Sequence, residues 1–254
     1  TYYNPVLNIL KQNGYAIVYL LPSDYYYRPG VGLVDVSLLD RSWPLAPLKV
    51  SLPRFIGREP DTAVADFERK VSETIAAWPR GKPAFFFAKL GAEHSPHRYD
   101  YRTDREGFVA RYVDSIKAAT PRIEELCRQI IAADPQGIII LAGDHGAQSY
   151  KGHPHGYRGA MRADALPARR VAQDIHEVLL AIRWGTGLAA APYPFRSLAN
   201  AMRFVFYQLS GEEALWKTVA PDDSYLVEYD GILYRTVENG QPLSEWQAVP
   251  RRGW

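Results

Sequence analysis

Pro135-Gln136-Gly137-Ile138-Ile139-Ile140-Leu141-Ala142-Gly143-Asp144-His145-Gly146 is the stretch around which the rest of the chain is read. From Gly137 to Ala142 the run is short, apolar and uninterrupted, with three consecutive isoleucines. That composition suits a strand buried on both faces, as in a parallel sheet flanked by helices. It ends at Gly143, and a carboxylate and an imidazole follow at once. Gly146 then lets the chain turn sharply. Ligands of open α/β sheets gather outside the carboxyl ends of the strands, so Asp144 and His145 stand where chemistry is usually done.

Upstream of this stretch, Pro83 to Leu90 (Pro-Ala-Phe-Phe-Phe-Ala-Lys-Leu) reads as a second buried strand. It empties into the polar loop Gly91 to Asp100, which carries His94 and His97. If the two strands are parallel neighbours, His94 and Asp144 open into one cleft. Between them lie two helical segments. Phe108, Val109, Tyr112, Val113 and Ile116 line the first. Thr120-Pro121 restarts the helix, with Ile123, Leu126, Cys127, Ile130 and Ile131 as an inner stripe. Cys127 belongs to that stripe and is read as a core residue rather than a nucleophile.

Downstream, Lys151-Gly-His153-Pro-His155-Gly-Tyr-Arg158 crowds two histidines, a lysine and an arginine into one loop. A surface loop accounts for it as well as a substrate site does. Glu177 to Trp184 reads as another inner strand. Ser197 to Leu209 reads as an amphipathic helix through Leu198, Met202, Val205, Phe206 and Leu209. In the last segment, residues 220–254, Asp230-Gly231 separates two alternating runs and signals a hairpin.

At the front, Asn4-Pro5 opens a helix with Val6, Ile9 and Leu10 on one face, stopped by Asn13-Gly14. Tyr15 to Leu21 follows as a strand. Residues 22–60 read as a long loop. Its Tyr25-Tyr26-Tyr27 and Trp43 either stack on a sugar or, the simpler account, pack the loop onto the core. Asp61 or Thr62 caps a helix carrying Val64, Phe67, Val71 and Ile75.

The 254 residues, 47% of them hydrophobic, suffice for one large α/β domain over 1–254, and no boundary for a second is visible. The net charge of +2 conceals no long run of one sign, so nucleic-acid binding is not indicated. Cys127 is the only cysteine, which excludes an intrachain disulfide. No apolar run approaches the ~20 residues of a membrane span, and no signal peptide is recognisable. The chain opens on Thr1 rather than Met, as an excised or processed piece would.

Taken in order, these segments resemble the sulfatase-like branch of the alkaline phosphatase superfamily, of the bacterial cell-envelope sulfatase or phosphoethanolamine-transferase type. The likeness lies in Phe85-Phe-Phe-Ala-Lys-Leu leading to His94-Ser-Pro, the helical stretch Tyr112 to Ala133, and Ile138 to Gly146 with its Gly-Asp-His-Gly. It continues in Val178-Leu-Leu-Ala-Ile-Arg-Trp, Phe195-Arg-Ser-Leu-Ala-Asn and Asp223-Ser-Tyr. The resemblance implies a mostly parallel central sheet flanked by helices, with a small C-terminal antiparallel hairpin. It also implies that Asp144 and His145 are two ligands of a catalytic divalent metal. An imidazole there suits zinc or manganese better than calcium or magnesium. His94 matches the family histidine that contacts the ester's non-bridging oxygens or the leaving group. Either His153 or His155 matches the histidine or lysine that follows the metal motif, and Lys151 and Arg158 join them in a substrate loop. The implied substrate is an anionic ester of a glycan or lipid, handled outside the cytoplasm, with any membrane anchor lying outside these residues.

The front of the family pattern is missing. A strand with acidic ligands and a Cys, Ser or Thr nucleophile at a helix start has no counterpart. Ser51-Leu-Pro-Arg54 is one residue short of the sulfatase signature and follows the helix–strand pair it would have to precede. Two expectations follow: these residues are the C-terminal part of a longer enzyme, or they form a non-catalytic module binding a polysaccharide or a protein. A third reading, a generic α/β domain with Asp144 as a turn residue, leaves unexplained why His94, His145, His153 and His155 crowd after successive strands.

Overall fold

The computed structural model describes residues 5–21, 35–39, 61–90, 105–150, 156–163, 165–189, 195–228 and 231–250. They group into two compact units, residues 1–94 with 116–135 and residues 95–115 with 136–254. The chain is of mixed α/β class. Among the described residues no helix is long and apolar enough to cross a membrane.

The first unit is built on β1 (Ala16–Leu21), flanked by β2 (Val36–Leu39) and β3 (Ala84–Ala88), both parallel to it. The two-residue period of the strands sends Val18 and Leu20, with Phe86 and Ala88 in register beside them, to one face. That face is covered by Phe67, Val71 and Ile75 of α2 (Asp61–Ala76) and by Leu126 and Ile130 of α3 (Arg105–Ala133). Phe67, Val71 and Ile75 of the stripe expected on α2 and Leu126 and Ile130 of that on the later part of α3 are therefore used, while the Val64 side chain lies outside the described residues. Cys127 is half-buried, and burial pushes its thiol up, away from the reactive thiolate.

Three readings change here. In α1 (Pro5–Gln12) the buried residues are Leu7 and Leu10, while Ile9 is exposed. With apolar residues at 6, 7, 9 and 10, the arc centres on the i, i+3 pair and leaves Ile9 at its rim. β2 lies inside the stretch read as loop. There Asp35 accepts the Ile17 amide at 2.8 Å and pairs with Lys11. The Lys11 bond, then the amide, holds its carboxyl below the ordinary range. Finally, α3 is one helix of 29 residues that runs through Pro121 rather than restarting there. Thr120 Oγ1 donates to the Ile116 carbonyl at 2.8 Å just ahead of the proline. In its first half Val109, Val113 and Ile116 are exposed, so the inner stripe expected there is not formed.

In the second unit, Ile139–Ala142 is a strand, β4, but it is not buried on both faces, its residues being partly buried and Ala142 exposed, and it pairs antiparallel with β5 (Leu180–Arg183). The expectation of one mostly parallel sheet thus holds only for the first unit. An apolar run specifies a strand but carries no information on its direction. Nor is β5 an inner strand, since Val178, Leu179 and Ala181 are exposed and Leu180, Ile182 and Arg183 are only partly buried. The ends of the pair are tied where Arg183 Nη1 donates to the Gly137 carbonyl at 2.8 Å.

The C-terminal hairpin is a three-stranded antiparallel meander, β6 (Ser224–Val227), β7 (Leu233–Glu238) and β8 (Gln241–Ala248). The second turn is Asn239-Gly240, with φ of 49° and 73°, and Glu238 pairs with Gln241 across it. Left-handed backbone at both turn residues is the signature of a type I′ hairpin. A Cβ at position 240 would also meet the Arg196 side chain. Gly240→Ala should therefore destabilise the chain by about 1–2 kcal/mol, seen as a lower urea midpoint with an unchanged slope.

The meander packs on α4 (Gly156–Ala163) and α5 (Ala168–His176) through Tyr150, Ala160, Val171 and Ile175, with Leu226 and Trp246 against them. α6 (Leu198–Ser210) is capped by Ser197, which accepts the Asn200 amide, and ends at Gly211 in the left-handed conformation. Its buried residues are Asn200, Ala201, Phe204 and Val205, leaving Leu198 and Leu209 exposed, so the expected face is rotated. Aromatic packing decides the rotation, because Phe204 sits among Trp184, Phe195, Tyr207 and Trp216 of the short α7 (Glu213–Lys217).

Candidate functional site

β4 ends at Ala142, and the chain leaves it through Gly143, whose amide bonds the Leu179 carbonyl at 2.9 Å. Asp144 and His145 follow. The Asp144 side chain is 68% exposed and that of His145 31%. Asp144 Oδ1 lies 3.8 Å from His145 Nε2. On the other side of the ring, Nδ1 is 2.8 Å from the Gly146 carbonyl oxygen. A carbonyl oxygen can only accept, so this contact is a hydrogen bond when Nδ1 carries the proton. In the neutral ring, Nε2 then presents a lone pair on the side of the Asp144 carboxylate.

The turn is laced to the end of α5. The Gly146 amide bonds the Ile175 carbonyl at 2.8 Å and the Gln148 amide bonds the Asp174 carbonyl at 3.1 Å. Ser149 Oγ donates to Asp174 Oδ1 at 2.8 Å. Gly146 is not in the left-handed conformation expected of a sharp turn. A Cβ there would overlap the Asp174 carbonyl oxygen and crowd the Glu177 oxygen at 3.1 Å. Glycine is needed for the close approach of two backbones. Tyr112 of α3 is stacked on Phe108, with ring centroids 6.4 Å apart. Its phenol is pushed up by burial and then by the Asp174 and Asp144 carboxylates.

Of the residues singled out in the sequence, the structure brings Asp144 and His145 together. His94, Lys151, His153 and His155 lie outside the described residues, as do Tyr25, Tyr26, Tyr27, Trp43, Ser51 and Arg54. Arg158 is near the start of α4. Its amide bonds Glu228 Oε1 at 3.1 Å, its guanidinium lies 4.6 Å from the Tyr234 ring centroid, and it donates to the Tyr234 hydroxyl. Those contacts tie α4 to the meander. Sequence reasoning missed Asp174, Ser149 and Tyr112. The first two act through a tertiary approach that no local pattern encodes. Tyr112 was read only as part of a helix stripe.

The donor set fits a divalent cation in kind, a carboxylate oxygen beside an imidazole nitrogen whose other ring nitrogen is hydrogen-bonded to backbone. Two donors on one ion sit about 3–3.5 Å apart, and a small rotation of the exposed Asp144 side chain closes the difference from 3.8 Å. Among the described residues, no group of three or more His, Cys, Asp and Glu side chains is arranged to hold a metal.

His176, the last residue of α5, is held apart from this pair. Its Nε2 lies 2.9 Å from Thr236 Oγ1, which donates to the Ser224 carbonyl at 3.1 Å. Burial lowers its pKa below the ordinary 6.5. The unfolded chain therefore binds the extra proton first, and stability falls as pH drops through about 6.5 towards the folded value, by at most about tenfold in the folding constant per pH unit. Glu68, raised by burial and only partly offset by Arg122, works with the opposite sign. Urea midpoints from pH 7.5 to 5.5 should thus show an acid-side loss that His176→Gln removes, with the Glu68 contribution cancelling in the difference. No model of a known protein family matches the chain, and no characterised protein matches it either.

Proposed function

We propose that these residues form part of a metal-dependent hydrolase or transferase acting on sulfate or phosphate esters of envelope glycans or lipids. In this reading the chain belongs with the sulfatase-like branch of the alkaline phosphatase superfamily and works outside the cytoplasm. Asp144 and His145 hold a divalent cation, zinc or manganese, together with ligands and a nucleophile from outside the chain. His94 contacts the transferred ester, and Lys151, His153, His155 and Arg158 bind the anionic substrate.

The observation that carries this reading is the placement of His145, with Nδ1 2.8 Å from the Gly146 carbonyl oxygen and Nε2 3.8 Å from Asp144 Oδ1. Metal-binding imidazoles share that pairing of a backbone-bonded nitrogen with a ligating one. When bound, a divalent cation neutralises the ester's negative oxygens and activates the attacking group. The chain's own part is placement. Asp144 supplies a negative charge at the mouth of the turn, and Gly146 and Gln148 fix that turn on α5. Tyr112, held protonated, is available as a hydrogen-bond donor.

A non-catalytic sulfatase-like module that binds a polysaccharide or a partner protein is the second reading. Metal titration separates the two. The isolated 254 residues should hold zinc or manganese weakly. The full-length protein should bind stoichiometrically and lose, on His145→Ala, more than the roughly 10–100-fold that an outer-shell change costs. Tight binding by the isolated chain would mean a complete site of another kind. No binding by the full-length protein would put the module reading first.

A further inference from the structure

Gln148 is one of the few described residues other than glycine with a positive φ, 54°. For a side-chain-bearing residue that conformation costs about 1–2 kcal/mol, and it persists only where the surroundings impose it. The surroundings are explicit. The Gln148 amide is bonded to the Asp174 carbonyl, and two residues earlier the Gly146 amide is bonded to the Ile175 carbonyl. The next side chain, Ser149, is buried and donates to Asp174 Oδ1 at 2.8 Å. The backbone from 146 to 149 is thus pinned at three points to one turn of α5. The peptide so fixed is the one whose carbonyl oxygen, that of Gly146, lies 2.8 Å from His145 Nδ1.

We propose that Ser149 and Asp174 are positioning residues for His145: by clamping the left-handed Gln148 they aim the Gly146 carbonyl at Nδ1 and so hold the ring with Nε2 towards Asp144. Neither touches the reacting groups. A histidine side chain without such a partner favours the Nε2–H tautomer, in which Nε2 is protonated and cannot bind a metal. The clamp therefore converts a tertiary contact on α5 into the protonation pattern of a ring beside it. Its purpose rests on the metal-ligand reading of His145, but its existence does not, because the tautomer is measurable without metal.

Nitrogen-15 labelling of the six histidines and two-bond nitrogen–proton correlation in the metal-free chain provide the test. The parent should show His145 as Nδ1–H. In Ser149→Ala the Nε2–H form should become dominant, while the His176 pattern stays as in the parent and reports that α5 remains docked. Asp174→Asn, whose Oδ1 still accepts from Ser149, should keep the parent tautomer. A parent His145 in the Nε2–H form overturns the proposal, as does a tautomer unmoved by Ser149→Ala. So does a change in which His145 and His176 move together, since the clamp is then not separable from the fold. In the full-length protein, zinc affinity should fall about 10–100-fold in Ser149→Ala. If the parent binds no zinc at all, the metal reading fails while the tautomer result stands by itself.

Discussion

Full-length protein carrying Asp144→Ala should lose at least about a hundredfold in ester turnover, the scale that a misplacement of ~1 Å at a reacting centre costs. Asp144 would both offset the charge of a bound cation and fix its position, so its removal acts on geometry and electrostatics together. Because the side chain is 68% exposed, the same substitution should leave the unfolding free energy from urea titration within about 0.5 kcal/mol of the parent's. Loss of activity without loss of stability is what separates a site residue from a core residue. The assay should include an aryl sulfate, an aryl phosphate monoester, a bis-aryl phosphodiester and a phosphoethanolamine lipid, each with and without zinc or manganese. Turnover that survives Asp144→Ala would defeat the mechanism. A full-length protein inactive on all four would favour the binding module.

Gly146→Ala is expected to be the most destabilising small substitution near the site, by about 3 kcal/mol. A single methyl group there is directed at main-chain atoms, the Asp174 carbonyl and the Glu177 oxygen. Neither can rotate away as a side chain would, and the Gly146 amide bond to Ile175 has to break if the backbones part. The loss should appear in urea unfolding and should exceed that of Gly240→Ala, where the obstacle is the Arg196 side chain. A Gly146→Ala midpoint equal to the parent's would show that the strand-to-α5 approach is looser than described.

What was legible in the sequence was whatever local chemistry dictates. The continuous apolar run of β1, the stripe of α2 and the Ser197 and Gly211 ends of α6 each follow from composition, periodicity or capping. Strand β4 was legible as a strand, but its antiparallel partner was not, because Ile139, Ile140 and Leu141 pack equally well either way. Asn239-Gly240 was a readable hairpin signal. The strand after it, β8, carries Pro242 and several polar residues and so shows no alternating apolar pattern. The adjacency of Asp144 and His145 came directly from the sequence, while the reason for Gly146 did not. The local rule gave a turn, and the tertiary approach of Asp174 gave the actual constraint.

The lacing of the turn to α5 spans little chain: Ser149 and Asp174 are 25 residues apart. Closing so short a loop costs less entropy than bringing distant segments together. Its underside is completed from further along the chain, where Leu226 and Trp246 of the C-terminal strands pack against Tyr150, Val171 and Ile175. The meander, packed through Leu226 and Trp246 against this piece, therefore fastens a turn whose proposed ligands, Asp144 and His145, lie far from it in sequence.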